Sequence, residues 1–381
     1  MNWRVPLADL DYGDQEIVAV RKVLESKWLT MGAITKQFEG QFSKFANCKY
    51  AIAVSNATQA LHLACLAMGI GPGDEVIVPS LSFVATANAV LYCGADVRFA
   101  DIISLEDLTI DPHSIIDNIT PKTKAIIAMH YAGFPCRMPE IMQIAQDNGL
   151  AVIEDAAHAP GAKLLDKNLG TWGDVGCFSF FSNKNLSTGE GGMITTNRDD
   201  IAEKVKLQRS HGMTSLTYDR HKGHAFSYDV VDLGYNYRID EIRSALGIEQ
   251  LKKLPENNAK RRRFTKKYWQ GFGSIEIGLP FSNIDHGYPS YHVFPLILPK
   301  RTDRYLFMSD LRDAGIQSSI HYRPIHTFSY YVQKYGIMEL PNTEQVGQRE
   351  VTLPLYPTMG EEQVDLVVRK VKELTLYHQK A

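Results

Sequence analysis

The chain has 381 residues, of which 44% are hydrophobic and 10% aromatic, as expected for a globular protein with a sizeable core. Its length predicts two domains, or one large domain with an appendage. Lys and Arg number 41 and Asp and Glu number 43, a net charge of −2 that gives no reason to expect nucleic acid or an anionic membrane as partner.

The five cysteines are widely spaced and form no CxxC pair, so neither a disulfide framework nor a zinc site is predicted. This usage favours a reducing compartment. The first segment, MNWRVPLADLDYGD, has no apolar signal core. No apolar run approaches the ~20 residues of a membrane-spanning helix. We therefore expect a soluble cytoplasmic protein, and no part of the sequence predicts a metal site.

From Tyr50 to about Thr196, short apolar runs alternate with helical patterns. The predicted strands are YAIAVS, EVIVPS, AIIAMH, AVIED and GCFSFF, each bounded by Gly, Pro, Asn or Asp. Their continuous apolarity is typical of strands buried on both faces. The predicted helices TQALHLACLAMG and MPEIMQIAQDNG both end at glycine. This alternation predicts an α/β fold with a mostly parallel sheet.

Beyond Gly247 the pattern changes. The segment IEQLKKLPENNAKRRRFTKKYWQGF predicts a helix, a break at Pro-Glu-Asn-Asn and a second helix, whereas YHVFPLILP and IQSSIHYRP predict strands. EEQVDLVVRKVKELTLYHQ predicts an amphipathic terminal helix. We therefore expect a large α/β domain over residues 1–250 and a smaller α+β domain over residues 251–381.

Two segments at predicted strand ends contain groups that could contact a ligand. Ala57 and Thr58 follow a strand and open a helix, where backbone amides and a hydroxyl can bind phosphate, although a plain helix cap would look the same. Phe83 lies just beyond the second strand and could stack on a flat cofactor or belong to the core.

A carboxylate and a histidine follow the strand AVIED. Asp155 ends this strand, where sites form in open α/β sheets, and His158 lies three residues later. A shielded carboxylate there can pair with the protonated ring nitrogen of pyridoxal 5′-phosphate (PLP) and so maintain the electron sink. The alternative is that Asp155 caps a helix and His158 is a core histidine.

A single lysine lies in the glycine-rich segment SFFSNKNLSTGEGGM. Lys184 could be an ordinary loop lysine, or an amine that forms a Schiff base with an aldehyde, for which burial lowers its pKa. The glycines that follow it would let the loop backbone approach a cofactor closely.

Taken together, these segments resemble the DegT/StrS class of sugar aminotransferases, which are PLP enzymes of fold type I. The resemblance covers nearly the whole chain and is carried by SNATQALHLA, GPGDEVIVPSLSFVATANAV, VIEDAAHAPGA, SFFSNKNLSTGEGGM, LGYNYRIDEIRSALG and SIHYRPIH. It implies a large domain with a mostly parallel seven-stranded sheet flanked by helices, and a smaller C-terminal α+β domain.

The resemblance also implies roles for individual residues. Lys184 would bind PLP covalently and act as general acid–base, while Asp155 would pair with the pyridine nitrogen. His158 would hydrogen-bond the 3-hydroxyl and Phe83 would stack on the ring. The phosphate would be held by Ala57, Thr58 and Ser179 and, from the second subunit of a homodimer, by Asn236.

The implied reaction moves the amino group of L-glutamate, which leaves as 2-oxoglutarate, to a keto sugar on a nucleoside diphosphate, with pyridoxamine phosphate between the two halves. Contacts to the sugar nucleotide are expected from Leu29, Thr30, His211, His321, Tyr322 and His326. Alternatives are an aminocyclitol aminotransferase, a PLP-dependent sugar dehydratase and a non-catalytic nucleotide-sugar-binding regulator. Known dehydratases of this type carry histidine where this chain has Lys184, which favours transamination.

Overall fold

The computed structural model describes residues 3–214, 228–284 and 287–380. Its centre is a seven-stranded sheet in the order β1-β9-β8-β5-β4-β2-β3. The strands of this sheet are β1 (Tyr50–Val54), β2 (Glu75–Pro79), β3 (Asp96–Ala100), β4 (Thr123–Met129), β5 (Ala151–Asp155), β8 (Val175–Ser179) and β9 (Gly192–Thr196). Strand β9 is antiparallel to both of its neighbours, and the other adjacent pairs are parallel. The predicted seven-stranded, mostly parallel sheet is confirmed.

Helices cover both faces of this sheet. In chain order the helices are α1 (Asp14–Ser26), α2 (Ala33–Ala46), α3 (Ala57–Ala67), α4 (Ala85–Tyr92), α5 (Pro112–Asp117), α6 (Met138–Asn148), α7 (Asp199–Gln208), α8 (Glu241–Phe272), α9 (Arg304–Asp313), α10 (Ser329–Tyr335), α11 (Pro341–Arg349) and α12 (Glu361–Lys380). One face packs on α3, α4 and α7, and the other on α2, α5, α6 and α8.

Coverage on both faces explains why the strands are apolar throughout. Ile127 of β4 points into the core beneath α3 and α4, whereas its neighbour Ile126 points into the core beneath α5 and α6. Both side chains are fully buried. Because successive strand residues face opposite ways, the central strands of a sheet between two helical layers favour apolar side chains throughout, with polar ones near the strand ends.

The remaining strands are short. Strands β6 (Lys163–Leu164) and β7 (Lys167–Asn168) form a small hairpin, and β10 (Phe294–Ile297) pairs antiparallel with β11 (Glu350–Leu353). The β10–β11 pair packs with α8, α9 and α12 around a core that also contains Val5. None of the helices among the described residues combines the length and apolarity needed to cross a bilayer.

The predicted break at Pro-Glu-Asn-Asn is wrong, because α8 continues through Pro255. Proline removes one hydrogen bond and crowds the carbonyl four residues earlier, at a cost of about 3 kcal/mol. Pro255 is exposed, whereas Leu251, Leu254 and Asn257 on the inner side are buried. Burial of that inner face offsets the cost, and the crowded carbonyl can tilt toward water.

The predicted strand IQSSIHYRP is also wrong. Only isolated bridges form there, from Ile316 to Val5 and from Ser319 to Thr352. The N–H of His321 donates instead to the carboxylate of Glu350 at 2.8 Å, so the backbone ladder ends at that point. The domain boundary predicted at residue 250 falls inside α8 and stays a proposal.

Candidate active site

A cavity of about 610 Å³ opens at the carboxyl ends of the parallel strands. Its walls come from the segments that follow β1, β2, β5 and β8, together with one segment of the C-terminal part. The lining residues are Asn56, Ala57, Thr58, Gln59, Leu61, Phe83, Ala85, Met129, Asp155, Ala157, His158, Ser179, Phe181, Asn183, Lys184, Glu190, His321 and Tyr322. This is the location at which open α/β sheets bind ligands.

The cavity contains one deeply buried carboxylate at the end of β5. Asp155 is 4% exposed and accepts hydrogen bonds from the Thr86 hydroxyl at 2.7 Å and the Ala157 N–H at 3.2 Å. Burial raises the pKa of Asp155, and the Thr86 hydroxyl, the Ala157 N–H and the charge of Lys184 act in the opposite direction. A carboxylate so placed is stabilised by any cation that enters the cavity.

The neighbouring carboxylate, Glu154, serves the scaffold. It faces away from Asp155, as strand alternation requires, and is fully buried. Its oxygens accept from the N–H groups of Gly170, Trp172 and Gly173 and lie 2.9 Å from His130 Nε2. Glu154 therefore fixes a loop against the end of the strand that carries Asp155.

Lys184 extends into the cavity from the loop between β8 and β9. Its side chain is half-buried, and burial lowers its pKa to about 7 despite the opposing charge of Asp155. Its Nζ atom lies 3.3 Å from Nε2 of the buried His292. At neutral pH a large fraction of this amine is therefore uncharged and able to act as a nucleophile.

Glycine places this loop against the start of α3. A Cβ on Gly192 would come within 2.6 Å of the Asn56 carbonyl carbon and 3.0 Å of the Ala57 nitrogen. Only glycine permits this approach, which brings the lysine loop and the amides of α3 to one cavity. Gly189 adopts a φ of +81°, which other residues rarely adopt.

The first turn of α3 supplies donors to the cavity. Asn56 caps the helix by accepting from the N–H of Gln59 at 2.9 Å. The N–H groups of Ala57 and Thr58 lie in the first turn and have no intrahelical acceptor. The side chain of Ser179, at the end of β8, also lines the cavity. Amides and hydroxyls at a helix N-terminus are suited to an anion such as phosphate.

His158 and Tyr322 form another wall. Nδ1 of His158 accepts from the Ala132 N–H at 3.2 Å, and its Nε2 lies 2.8 Å from the Tyr322 hydroxyl oxygen. Burial lowers the pKa of His158 well below its ordinary value, so the ring is neutral and Nε2–H donates to Tyr322. The hydroxyl hydrogen of Tyr322 is then available to a bound ligand.

The profile of the DegT/DnrJ/EryC1/StrS aminotransferase family matches residues 11–372. The chain belongs to this family. The enzyme is therefore a transaminase, and the family is PLP-dependent and acts on sugars.

Relatives of this aminotransferase include proteins of sugar metabolism. SpsC of Bacillus subtilis, a spore coat polysaccharide biosynthesis protein, is 38% identical over 370 residues, 95% of each chain. PseC of Helicobacter pylori, an aminotransferase involved in pseudoaminic acid biosynthesis, superposes with a TM-score of 0.91 and 30% identity over 98% of this chain and 99% of PseC. Spr1654 of Streptococcus pneumoniae has a TM-score of 0.92 in its PLP form, with 26% identity over 98% of this chain and 99% of Spr1654.

The residues of the cavity fit PLP. Lys184 offers an amine to the aldehyde, Asp155 a carboxylate to the ring nitrogen, and the first turn of α3 offers donors to the phosphate. The cavity also contains buried polar atoms that find no partner among the described residues, namely Gln59 Oε1 and Asn183 Oδ1. A polar ligand would satisfy them.

Nine of the residues predicted from the aminotransferase motifs line the cavity: Ala57, Thr58, Phe83, Asp155, His158, Ser179, Lys184, His321 and Tyr322. Four others lie elsewhere on the exposed surface, and their contacts stay predictions: Leu29, Thr30, His211 and Asn236. His326 is 3% exposed and bonded to Ser80 at 2.6 Å, so the structure does not bring it to the cavity.

Two residues at the aminotransferase site were missed by the sequence analysis. Thr86 lies three residues after Phe83 and bonds Asp155, and His292 bonds Lys184 across 108 positions of the chain. Thr86 lies in the segment GPGDEVIVPSLSFVATANAV that carries the family resemblance, and helical spacing places its hydroxyl one turn beyond Phe83. His292 lay in a predicted strand whose apolar pattern gave no sign of a ligand site.

Proposed function

We propose that this aminotransferase transfers the amino group of L-glutamate to a nucleotide-linked 3- or 4-keto-6-deoxyhexose and forms an amino sugar. The single observation that carries the proposal is that the Lys184 amine, whose pKa burial lowers to about 7, shares one cavity with the buried carboxylate of Asp155. PLP, when bound, supplies the electron sink on which transamination depends.

Lys184 acts twice in this proposal. Its uncharged amine would bond to the cofactor aldehyde with release of water, and once freed again it would move a proton between the amino donor and the cofactor. A pKa near 7 suits both tasks, because the amine can both accept and return a proton at neutral pH. Asp155 would keep the ring nitrogen charged, and Thr86 and the Ala157 N–H hold the carboxylate in place for this contact.

The remaining cofactor contacts follow from the walls of the cavity. We assign the phosphate to the N–H groups of Ala57 and Thr58 and to the side chains of Thr58 and Ser179. We assign one ring face to Phe83, which lines the cavity, is 56% exposed and has its ring centroid 6.1 Å from that of Tyr322. Both nitrogens of His158 are bonded within the chain, so its contact with the 3-hydroxyl stays a prediction.

The proposed active unit is a homodimer. Asn236 is exposed, whereas its neighbours Tyr235 and Tyr237 stack on each other with ring centroids 4.9 Å apart and pack against His62. Because successive side chains of an extended segment point to opposite sides, we infer that Asn236 points away from these two tyrosines. We assign it to the phosphate site of the partner subunit.

The amino donor and the sugar substrate are tested by the two halves of the reaction. Glutamate added to PLP-loaded protein should bleach the visible band and release 2-oxoglutarate. A panel of keto-sugar nucleotides, and a keto-cyclitol as comparison, should then restore the band, with amino products identified by mass spectrometry. Amination of the cyclitol alone would overturn the sugar-nucleotide assignment, and elimination without amination would make the enzyme a dehydratase.

A further inference from the structure

Behind Lys184 a chain of polar side chains runs from the cavity into the protein. It begins at His292, which is 2% exposed and whose Nε2 lies 3.3 Å from Lys184 Nζ. The backbone of His292 is fixed on both sides, because its N–H donates to the Ala132 carbonyl and its carbonyl accepts from Arg261. The ring therefore has a defined place behind the amine.

The hydrogen bonds of Asn185 determine which ring nitrogen of His292 carries the hydrogen. Nδ2 of Asn185 donates to the backbone carbonyl of Ser290 at 2.7 Å, and a carbonyl can only accept. The amide nitrogen must therefore face Ser290, so the amide oxygen faces Nδ1 of His292 at 3.0 Å. Since that oxygen accepts, Nδ1 of His292 must bear the hydrogen and donate it.

A second amide supports this orientation. Nδ2 of Asn258 donates to the Pro160 carbonyl at 3.0 Å, which again fixes the direction of the amide. Oδ1 of Asn258 then accepts the other hydrogen of Asn185 Nδ2 at 2.8 Å. Both hydrogens of Asn185 Nδ2 are thus donated to acceptors, and rotation of the amide would break both hydrogen bonds.

The electrostatic surroundings keep the His292 ring neutral. Burial, and the positive charges that Lys184, His158, Arg261 and His321 can carry, all lower the pKa of His292 well below its ordinary value. With its single hydrogen on Nδ1, Nε2 presents a lone pair to the Lys184 amine. The amine, in turn, is the donor of that hydrogen bond.

We infer that His292 is a positioning residue for Lys184, which holds the lysine amine through the Nε2 lone pair in a tautomer fixed by Asn185 and Asn258. The inference rests on the proposed role of Lys184. Whenever the amine is not bonded to the cofactor, one N–H is committed to His292, and the nitrogen is held at a fixed place behind the cavity. This contact limits the motion of the Lys184 side chain between bonding to the cofactor aldehyde and transferring the proton.

The contact also affects the protonation of the amine. An acceptor stabilises the ammonium form more than the uncharged amine, so His292 opposes the effect of burial on Lys184. Among the described residues that line the cavity, Asp155 stabilises the ammonium, and His158 and His321 have pKa values lowered by burial and by Lys184. Glu190 and Tyr322 are the other ionisable residues of this lining. Loss of His292 should therefore lower the pKa of Lys184 further.

Two substitutions at this position separate the hydrogen bond from the packing. His292→Phe keeps a ring against His158, whose ring centroid is 4.3 Å away, but removes the acceptor. His292→Gln places an amide oxygen near the former Nε2 position and should restore part of the contact. The readout is the pH dependence with which an amine-reactive reagent labels Lys184 in cofactor-free protein, measured by peptide mass spectrometry.

We expect the labelling midpoint of Lys184 to fall by about one pH unit in His292→Phe, because a hydrogen bond to a charged group is lost, and to return toward the wild-type value in His292→Gln. Turnover of His292→Phe should fall about tenfold with little change in KM for the amino donor. An unchanged midpoint in a folded His292→Phe protein would overturn the inference.

If the His292→Phe protein does not fold, the tautomer of His292 can be measured in the wild-type protein instead. Nitrogen NMR of histidine-labelled, cofactor-free protein should show His292 neutral with its hydrogen on Nδ1, and a hydrogen on Nε2 would reject the inference. The proposed function is tested separately by borohydride trapping of PLP in wild-type protein. Absence of an adduct on Lys184 rejects the function, whereas an adduct together with an unchanged midpoint in His292→Phe rejects only the role of His292.

Discussion

The Thr86 hydroxyl donates to Oδ2 of Asp155 at 2.7 Å, and the Ser82 hydroxyl oxygen lies 2.6 Å from the Thr86 oxygen. Because Thr86 donates its only hydroxyl hydrogen to the carboxylate, Ser82 must be the donor in the bond between the two hydroxyls. Chains of this kind polarise one another and strengthen the final bond. The carboxylate at the end of β5 is therefore held by two further side chains from the segment that follows β2.

Replacement of Thr86 by valine should weaken the function of Asp155. Thr86→Val preserves shape but removes the donor to Oδ2, and a hydrogen bond to a charged group corresponds to about 10- to 100-fold in an equilibrium or rate. We expect weaker PLP binding and lower kcat by this factor, measured by cofactor titration and by turnover with glutamate. Thr86→Ser retains the hydroxyl and should lie within a few-fold of wild type; equal losses in both variants would argue against this role.

Replacement of Asp155 by asparagine should be more damaging. Asp155→Asn keeps the size of the side chain but removes the charge that we propose pairs with the ring nitrogen, and loss of one partner of a buried ion pair corresponds to more than about 100-fold. The expected result is a loss of this size in kcat for the glutamate half-reaction. Asp147→Asn, on the exposed face of α6, is the matched control and should not change the rate. Full activity of Asp155→Asn would remove the electron-sink argument.

The lowered pKa of Lys184 predicts how cofactor capture depends on pH. Capture of the aldehyde needs the uncharged amine, and with a pKa of about 7 its fraction is roughly one tenth at pH 6 and nine tenths at pH 8. The rate at which cofactor-free protein takes up PLP should therefore rise through pH 7 and level off above pH 8. A rate that rises steadily to pH 10, as an ordinary lysine would give, contradicts the effect of burial.

The buried Glu154 predicts a large effect on stability. Glu154→Gln turns an amide NH₂ group toward the N–H donors of the loop at Gly170, Trp172 and Gly173, and at least one of them loses its acceptor. We expect the free energy of unfolding to fall by about 3–5 kcal/mol, measured by urea denaturation of cofactor-free protein. The exposed Glu140→Gln is the control and should leave the denaturation midpoint unchanged.

Much of this fold can be read from the sequence because local patterns dictate it. Continuous apolar runs such as β4 and β5 can be buried only between two helical layers, and Gly149 ends α6 in the left-handed conformation. The predictions of a helix break and of a strand are wrong where contacts between residues distant in the sequence determine the local structure. Burial along α8 outweighs the local effect of Pro255, and the side chain of Glu350 replaces a backbone partner at His321.

The residues of the candidate site also fall into two groups, those that a local sequence pattern predicts and those that depend on distant contacts. Lys184, Asp155 and the first turn of α3 carry local signatures, since each follows a strand end and belongs to a recognisable segment. His292 does not, because its role depends on an amide direction that is fixed by the Ser290 carbonyl. No spacing in the sequence predicts such a relationship.

The central claim is that Lys184 bonds covalently to PLP, and borohydride reduction followed by peptide mapping tests it most directly. The reduced cofactor should be found on the peptide that contains Lys184, and Lys184→Ala protein should fold normally but carry no adduct and show no turnover. Attachment to another lysine, or transamination at the wild-type rate by Lys184→Ala protein, would contradict the account.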